Sequence, residues 1–262
     1  MRRRVVTAVA TSAVLALGLA ACGGGGGNNN QNKTTNTPEF NAAIDKIFNP
    51  SDKKGGIMKF AISSNWDSTD PGDTYYGLSW NLIRTYTRAL TMFKVAPGKA
   101  SAELVGDLAE GLGTPSDGGK TWTYKLREGL KYEDGTPITS KDVAYGVSRS
   151  LEKGILVNGP TYFNDFLDLK GYKGPYTSKN QTNPAIETPD DRTIVFHLVK
   201  AFGGFDYFAM LPSTAPVPQA KDTGVKYKEH PISSGPYMFK TYEQDKSFTL
   251  VRNPNWDPKT DP

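Results

Sequence analysis

GTPSDGGKTWTYKLREGLKYEDGTPITSKDVAYGVSRS, residues 113–150, decides the fold class of this chain. Its GGKT invites comparison with a phosphate-binding loop. That loop needs Gly, four intervening residues and then Gly-Lys-Ser/Thr, so that successive backbone N–H groups wrap the phosphates ahead of a helix. Five positions before Gly119 stands Thr114, and the spacing fails. Trp122, Tyr124 and Leu126 then alternate with Thr121, Thr123, Lys125 and Arg127, which predicts a strand with one buried face. GGKT is a turn into that strand. Gly129 breaks the run, Leu130-Lys131-Tyr132 continues it, and Asp134-Gly135 supplies a turn in which Gly tolerates positive φ. Thr139 then caps a helix with Asp142 in the capping-box position. Val143, Val147 and Leu151 form its apolar stripe, and Gly154 is expected to end it.

Working outward, residues 103–112 suggest a helix or turn, and residues 78–90 a helix with Leu78, Leu82, Ile83, Tyr86 and Leu90 on one face. Before them GGIMKFAIS, residues 55–63, has the composition of a strand, and SNWDSTDPGD leaves it as a loop. Phe40, Ile44 and Phe48 are spaced for a short helix that stops at Asn49-Pro50. Towards the C-terminus come a strand at 192–198, a Pro-rich turn LPSTAPVP at 211–218, a turn ISSGPY at 232–237 and a strand at 248–252. Strands and helices mix without strict βαβ alternation and without an internal repeat. The class is α/β mixed, of the α+β kind.

The N-terminus carries Arg2, Arg3 and Arg4 ahead of an apolar run that is short for a membrane span and suited to a secretory signal. The run closes with Leu-Ala-Ala-Cys-Gly, which resembles a lipobox, so residues 1–21 are expected to be a lipoprotein signal peptide and Cys22 the lipidated residue. Cys22 is the sole cysteine, which excludes an internal disulfide. Residues 22–38, with GGGGGNNNQNKTTNTP, have almost nothing to bury and predict a disordered tether reaching about 20–25 Å. Residues 39–262 form the folded part. Without the signal the formal charge falls from +4 to +1, and no basic patch is interleaved with aromatics, so nucleic acid is not an expected partner.

Catalytic patterns are missing. His197 lies on the polar side of the TIVFHL alternation, and His230 stands beside Pro231 with no second His or Cys at ligand spacing. There is no G-x-S-x-G, and Ser233-Ser234-Gly235-Pro236 has the composition of a turn. Asp67, Asp70 and Asp73 share a loop but lack the every-second-residue ligands of an EF-hand. Glu133 and Asp134 are adjacent in a turn and diverge. No enzyme, cofactor or metal site is expected.

The segment SDGGKTWTYKLREGLKYEDGTPITSKDVAYGVSRSLE, residues 116–152, resembles the family 5 solute-binding proteins of ABC transporters, the oligopeptide and dipeptide receptors. GDLAEGL at 106–112, LPSTAPVP, PISSGPYMF and LVRNPNW are similar to further family segments in the same order. Glu133 departs from the pattern, which often has His there, and is expected on a surface turn. The resemblance implies a periplasmic-binding-protein-like lobe I, with the second lobe missing from these residues. It implies a receptor that closes on a peptide or similar solute and hands it to ABC permease subunits. It also implies that the protein sits on the extracytoplasmic face of a bacterial membrane through lipid on Cys22. Carried over by position, the ligand-binding candidates are Ser64, Asn65 and Trp66 after the first strand, Arg88 in the following helix, and Ser233, Ser234 and Gly235. Exposed backbone groups beside small side chains would pair with a peptide main chain. The rival expectation is a cell-surface lobe used for partner interaction or sensing.

Overall fold

The structure is a computed structural model that describes Ile47, residues 50–243 and residues 245–261. The signal, Cys22 and the tether lie outside the described residues, as does most of the short helix expected around Phe40, Ile44 and Phe48. In chain order the elements are α1 (Gly77–Ile83), β1 (Thr91–Phe93), β2 (Leu104–Gly106), β3 (Thr114–Ser116) and β4 (Thr121–Lys125). They continue with α2 (Ser140–Ser150), α3 (Tyr162–Phe166), β5 (Ile186–Glu187), β6 (Thr193–His197), α4 (Phe205–Ala209), β7 (Tyr237–Glu243) and β8 (Ser247–Arg252). Short 3₁₀ turns, among them Pro212–Thr214 and Pro258–Thr260, fill the connections.

All strand pairs are antiparallel: β1 with β2, the sheet β3-β4-β6-β5, and the hairpin β7-β8. The alternation of the opening segment explains the central pair. Trp122 stands opposite Phe196 and Tyr124 opposite Ile194, all four are buried, and the polar residues between them face outward. Against this face pack Val143 and Val147 of α2, with Phe163 and Phe205. Phe205 lies 5.3 Å from the Phe196 ring and 5.8 Å from Trp122, so the core is an aromatic cluster. GGKT is indeed the turn before β4, with Gly118 and Gly119 at φ 62° and 90°.

The helix cap is built as its sequence predicts. Asp142 Oδ2 accepts from Thr139 N at 2.7 Å and from Thr139 Oγ1 at 2.9 Å. The helix itself stops at Ser150, before Gly154, because Leu151 and Glu152 turn back into the core. At Gly146 the helix approaches the 211–218 segment closely: a Cβ there would stand 2.2 Å from Ala215 O.

Four expectations are corrected. The helix predicted to reach Leu90 ends at Ile83. Beyond it Thr85 Oγ1 and Thr87 Oγ1 cap Leu82 O and Ile83 O, while Tyr86 O turns to accept from Ser234 N and Gly235 N. Residues 103–112 hold β2 and turns. There Arg127 Nε and Nη2 reach Asp107 O and Gly106 O across a bend too tight for a side chain at Gly106. Leu130 and Tyr132 are buried as an alternating pair, but only the single bridge Lys131–Pro137 forms. Residues 55–63 make no ladder with any described residue, and Ile57 and Phe60 are 88% and 83% exposed. The strand expected at 248–252 is present as β8, and its partner β7 carried no clear signal of its own.

Candidate functional site

The loop that follows residues 55–63 is organised by Asp67. Its carboxylate accepts from Thr74 Oγ1 at 2.8 Å, from Tyr76 N at 2.9 Å, from Tyr75 N and from Ser79 Oγ. Burial alone would raise the Asp67 pKa, but these four hydrogen bonds outweigh it and hold the carboxyl below the ordinary carboxylate range. The turn so fixed leaves Ser64 and Asn65 exposed and half-buries Trp66, whose ring tilts against Phe248 of β8 at 5.6 Å.

The other two acids of the loop go elsewhere. Asp70 enters the interior and pairs with Arg149. Asp73 accepts from Asn158 N at 2.8 Å and Asn158 Nδ2 at 3.1 Å, and burial raises its pKa. They therefore face three different partners, and no set of three or more metal-ligating side chains converges among the described residues.

Asn158 brings a second segment to the loop, and between them runs a groove of about 230 Å³ lined by Tyr75, Asn158, Gly159, Pro160, Thr161 and Tyr162. Tyr75 and Tyr162 meet hydroxyl to hydroxyl at 2.7 Å. Trp80 supports Tyr75 edge-on at 5.8 Å, and Phe208 stacks on Tyr162 at 5.2 Å. Rigid aromatics with polar tips suit a surface that contacts a small molecule at little entropic cost.

The remaining candidates lie deeper. Arg88 sits past the end of α1, 4% exposed. Its Nε bonds Asp107 Oδ1 at 2.6 Å, its Nη1 bonds Thr260 Oγ1 at 2.9 Å, and its Nη2 bonds Asp107 O and Thr260 O. Burial raises the Asp107 carboxyl, and the Arg88 charge opposes that rise. Ser233, Ser234 and Gly235 are buried too, so the exposed backbone groups expected there are turned inward. Ser234 N and Gly235 N donate to Tyr86 O at 3.0 and 2.9 Å, Ser234 Oγ accepts from Arg88 N, and Ser233 N donates to Glu133 Oε2. A side chain at Gly235 would strike the Tyr86 backbone. The effect on the loop is indirect, because the Tyr86 hydroxyl donates to Thr69 O. LPSTAPVP is likewise interior, with Ser213 and Thr214 buried. Glu133, expected on a surface turn, is a joint: its side chain is 13% exposed and also bonds His230 Nε2 at 2.8 Å.

Sequence reasoning missed the residue that fixes the loop from below. Arg149 lies between Val147 and Leu151 and would be taken for a solvated position. It is fully buried, binding Asp70 with both Nη atoms, Asp222 Oδ2 with Nε at 3.1 Å and Gly224 O at 2.9 Å, over the Tyr227 ring. The only signal was an arginine in the stretch of the helix after Asp142, where every other residue is apolar or small.

Comparison with known proteins places this geometry. The family described as bacterial extracellular solute-binding proteins, family 5 Middle, matches residues 103–262. The probable D,D-dipeptide-binding periplasmic protein DdpA of Escherichia coli (strain K12) is 26% identical over 229 residues, 85% of this chain and 39% of that protein. The periplasmic oligopeptide-binding protein OppA of the same strain is 28% identical over 142 residues, covering 52% of this chain and 26% of that protein. Among solved structures, clavulanic acid biosynthesis oligopeptide binding protein 2 is 45% identical with a TM-score of 0.80, covering 85% of this chain and 40% of its own. Peptide-bound OppA of Listeria monocytogenes shares the fold, with a TM-score of 0.63 at 21% identity over 74% of this chain and 38% of its own. The chain thus spans about two-fifths or less of the length of these relatives. It belongs to the bacterial extracellular solute-binding proteins of family 5.

Proposed function

We propose that this chain is the N-terminal part of an extracytoplasmic receptor for peptides or related solutes that serves an ABC importer, binding its solute without chemical turnover. The observation that carries this reading is the 45% identity, over 85% of the chain, to an oligopeptide binding protein. Residues 1–21 export it, Cys22 anchors it by lipid to the outer face of the cell membrane, and residues 22–38 space it from its anchor. The solute lies on the face formed by Ser64, Asn65 and Trp66 and by the adjoining groove, where Tyr75 and Tyr162 present their hydroxyls. Ser234 and Gly235 act from behind, through the Tyr86 carbonyl they bond and the Thr69 carbonyl that the Tyr86 hydroxyl bonds, and Arg88 and Ser233 hold that turn through Arg88 N on Ser234 Oγ and Ser233 N on Glu133. An aromatic and hydroxyl-lined surface next to exposed backbone grips a peptide main chain without reading each side chain.

Isothermal calorimetry of the chain against a panel of di- to pentapeptides tests the solute class. Saturable heats that vanish in a double Asn65→Ala, Trp66→Ala variant of unchanged unfolding midpoint support it. A panel without any saturable heat, repeated on a chain of the relatives' full length, overturns it. Metabolic labelling with a fatty acid, lost in Cys22→Ser, tests the anchor.

A further inference from the structure

The groove beside Tyr75 has a chemical preference of its own. Its six lining residues, Tyr75, Asn158, Gly159, Pro160, Thr161 and Tyr162, include no charged side chain. Asp73, the acid on which Asn158 docks, is not among them, and its two oxygens accept from Asn158 N and Nδ2. A charged group entering such a groove would leave part of its hydration behind and meet no counter-charge in the lining, which is costly. At about 230 Å³ the groove is also smaller than the roughly 300–1,000 Å³ of sites that enclose a whole drug-sized ligand. It therefore holds one part of a larger solute.

The two rings of the lining are held in place without a solute. Tyr75 N donates to Asp67, the Tyr75 ring meets Trp80 edge-on, and Trp80 Nε1 donates to Thr74 O at 3.2 Å. Tyr162 opens α3 with Phe208 stacked on it at an interplanar angle of 10°. The Tyr75 and Tyr162 rings converge at their hydroxyls, 2.7 Å apart, while their centroids stand 6.3 Å apart with planes tilted by 56°. Rings splayed in this way offer a third ring the offset or edge-to-face contacts that aromatic pairs prefer. Tyr76 and Val157, chain neighbours of the lining residues, are 59% and 67% exposed, so apolar surface continues beside the groove.

From this lining we infer, on the footing that this face is the solute site, that the groove is a side-chain subsite. It takes one uncharged aromatic side chain of the solute and rejects acidic and basic ones, while the main-chain grip leaves the other side chains unread. The test titrates the full chain, labelled with ¹³C in its tyrosine rings, with the N-acetyl amides of phenylalanine, leucine, glutamate and lysine. It repeats the titration with tripeptides that carry phenylalanine, glutamate or lysine between two alanines. The Tyr75 and Tyr162 ring resonances should shift saturably with the phenylalanine compounds, and the glutamate and lysine compounds should bind about ten-fold or more weakly. Tyr75→Ala, followed on the Tyr162 ring, should bring phenylalanine and glutamate to within about two-fold of each other. Thr161→Lys changes an exposed lining residue whose side chain caps nothing, and should turn the preference towards glutamate by placing a cation in the groove. Rings that ignore the phenylalanine compounds, or that move equally with the charged ones, overturn the inference. So do tripeptides that move the Trp66 indole and neither tyrosine, a result that leaves the peptide reading standing. Rings that answer to N-acetylphenylalaninamide, with no tripeptide moving them or Trp66, uphold the subsite and refute the peptide reading instead.

Discussion

Arg149 and Asp70 form a two-pronged ion pair, with Nη1 to Oδ1 and Nη2 to Oδ2 both at 2.7 Å and side chains 0% and 2% exposed. Removing one partner leaves a buried charge uncompensated, which typically costs about 3–5 kcal/mol. Arg149→Met, which strands both Asp70 and Asp222, should lose at least that much in urea unfolding, and Asp70→Asn, which leaves Arg149 paired with Asp222, should lose less; an Arg149→Met loss below about 1 kcal/mol would show the pairing to be replaceable. The double variant strands Asp222 alone and should recover part of the Arg149→Met loss.

Gly146 should be intolerant of even a methyl group. The obstacle is the Ala215 carbonyl, a backbone atom at 2.2 Å from the added Cβ, and backbone cannot rotate away as a side chain can. Gly146→Ala should destabilise by about 2–3 kcal/mol or prevent soluble expression. Near-wild-type stability would mean that the 211–218 segment can withdraw from α2.

Asp67 gives the fold a dependence on acid. Its folded carboxyl lies below the ordinary value, so its contribution is fully present above the unfolded pKa and is lost as pH falls through the folded one. The stability gap between the wild type and Asp67→Asn should stay constant from about pH 7 to pH 5 and narrow below about pH 4. A gap that widens on acidification would contradict the hydrogen-bond network drawn around Asp67.

Thr139→Ala should cost about 1 kcal/mol, the ordinary worth of a helix cap, in the same unfolding assay. Asp142→Ala, which removes the reciprocal acceptor, should cost a similar amount, and the two losses should not add.

The features legible in the sequence are those set by neighbours along the chain. The β4 alternation, the Asp134-Gly135 turn and the Thr139 cap each depend on residues within a few positions of one another. The misjudged features answer to distant partners. The stripe at 78–90 satisfies helical spacing, yet Tyr86 O is claimed by Ser234 and Gly235, and that bond ends the helical path. Arg149 could not be distinguished from a surface arginine without Asp70 and Asp222, each more than 70 residues away. At the site, punctuation revealed the loop carrying Ser64, Asn65 and Trp66, whereas the groove beside Tyr75 depends on Asn158 docking on Asp73.

Residues 55–63 carry one further consequence. Proteases bind their substrates as extended strands, and here is an exposed run holding Lys59 and Phe60 with no ladder among the described residues to melt first. Cleavage there needs no unfolding, so under brief trypsin treatment the bond after Lys59 should be cut well before those after Arg127 or Arg149. What survives should be a trimmed fragment that still unfolds cooperatively, its α2 and aromatic cluster unbroken, and mass spectrometry of the first digestion product would identify its new N-terminus.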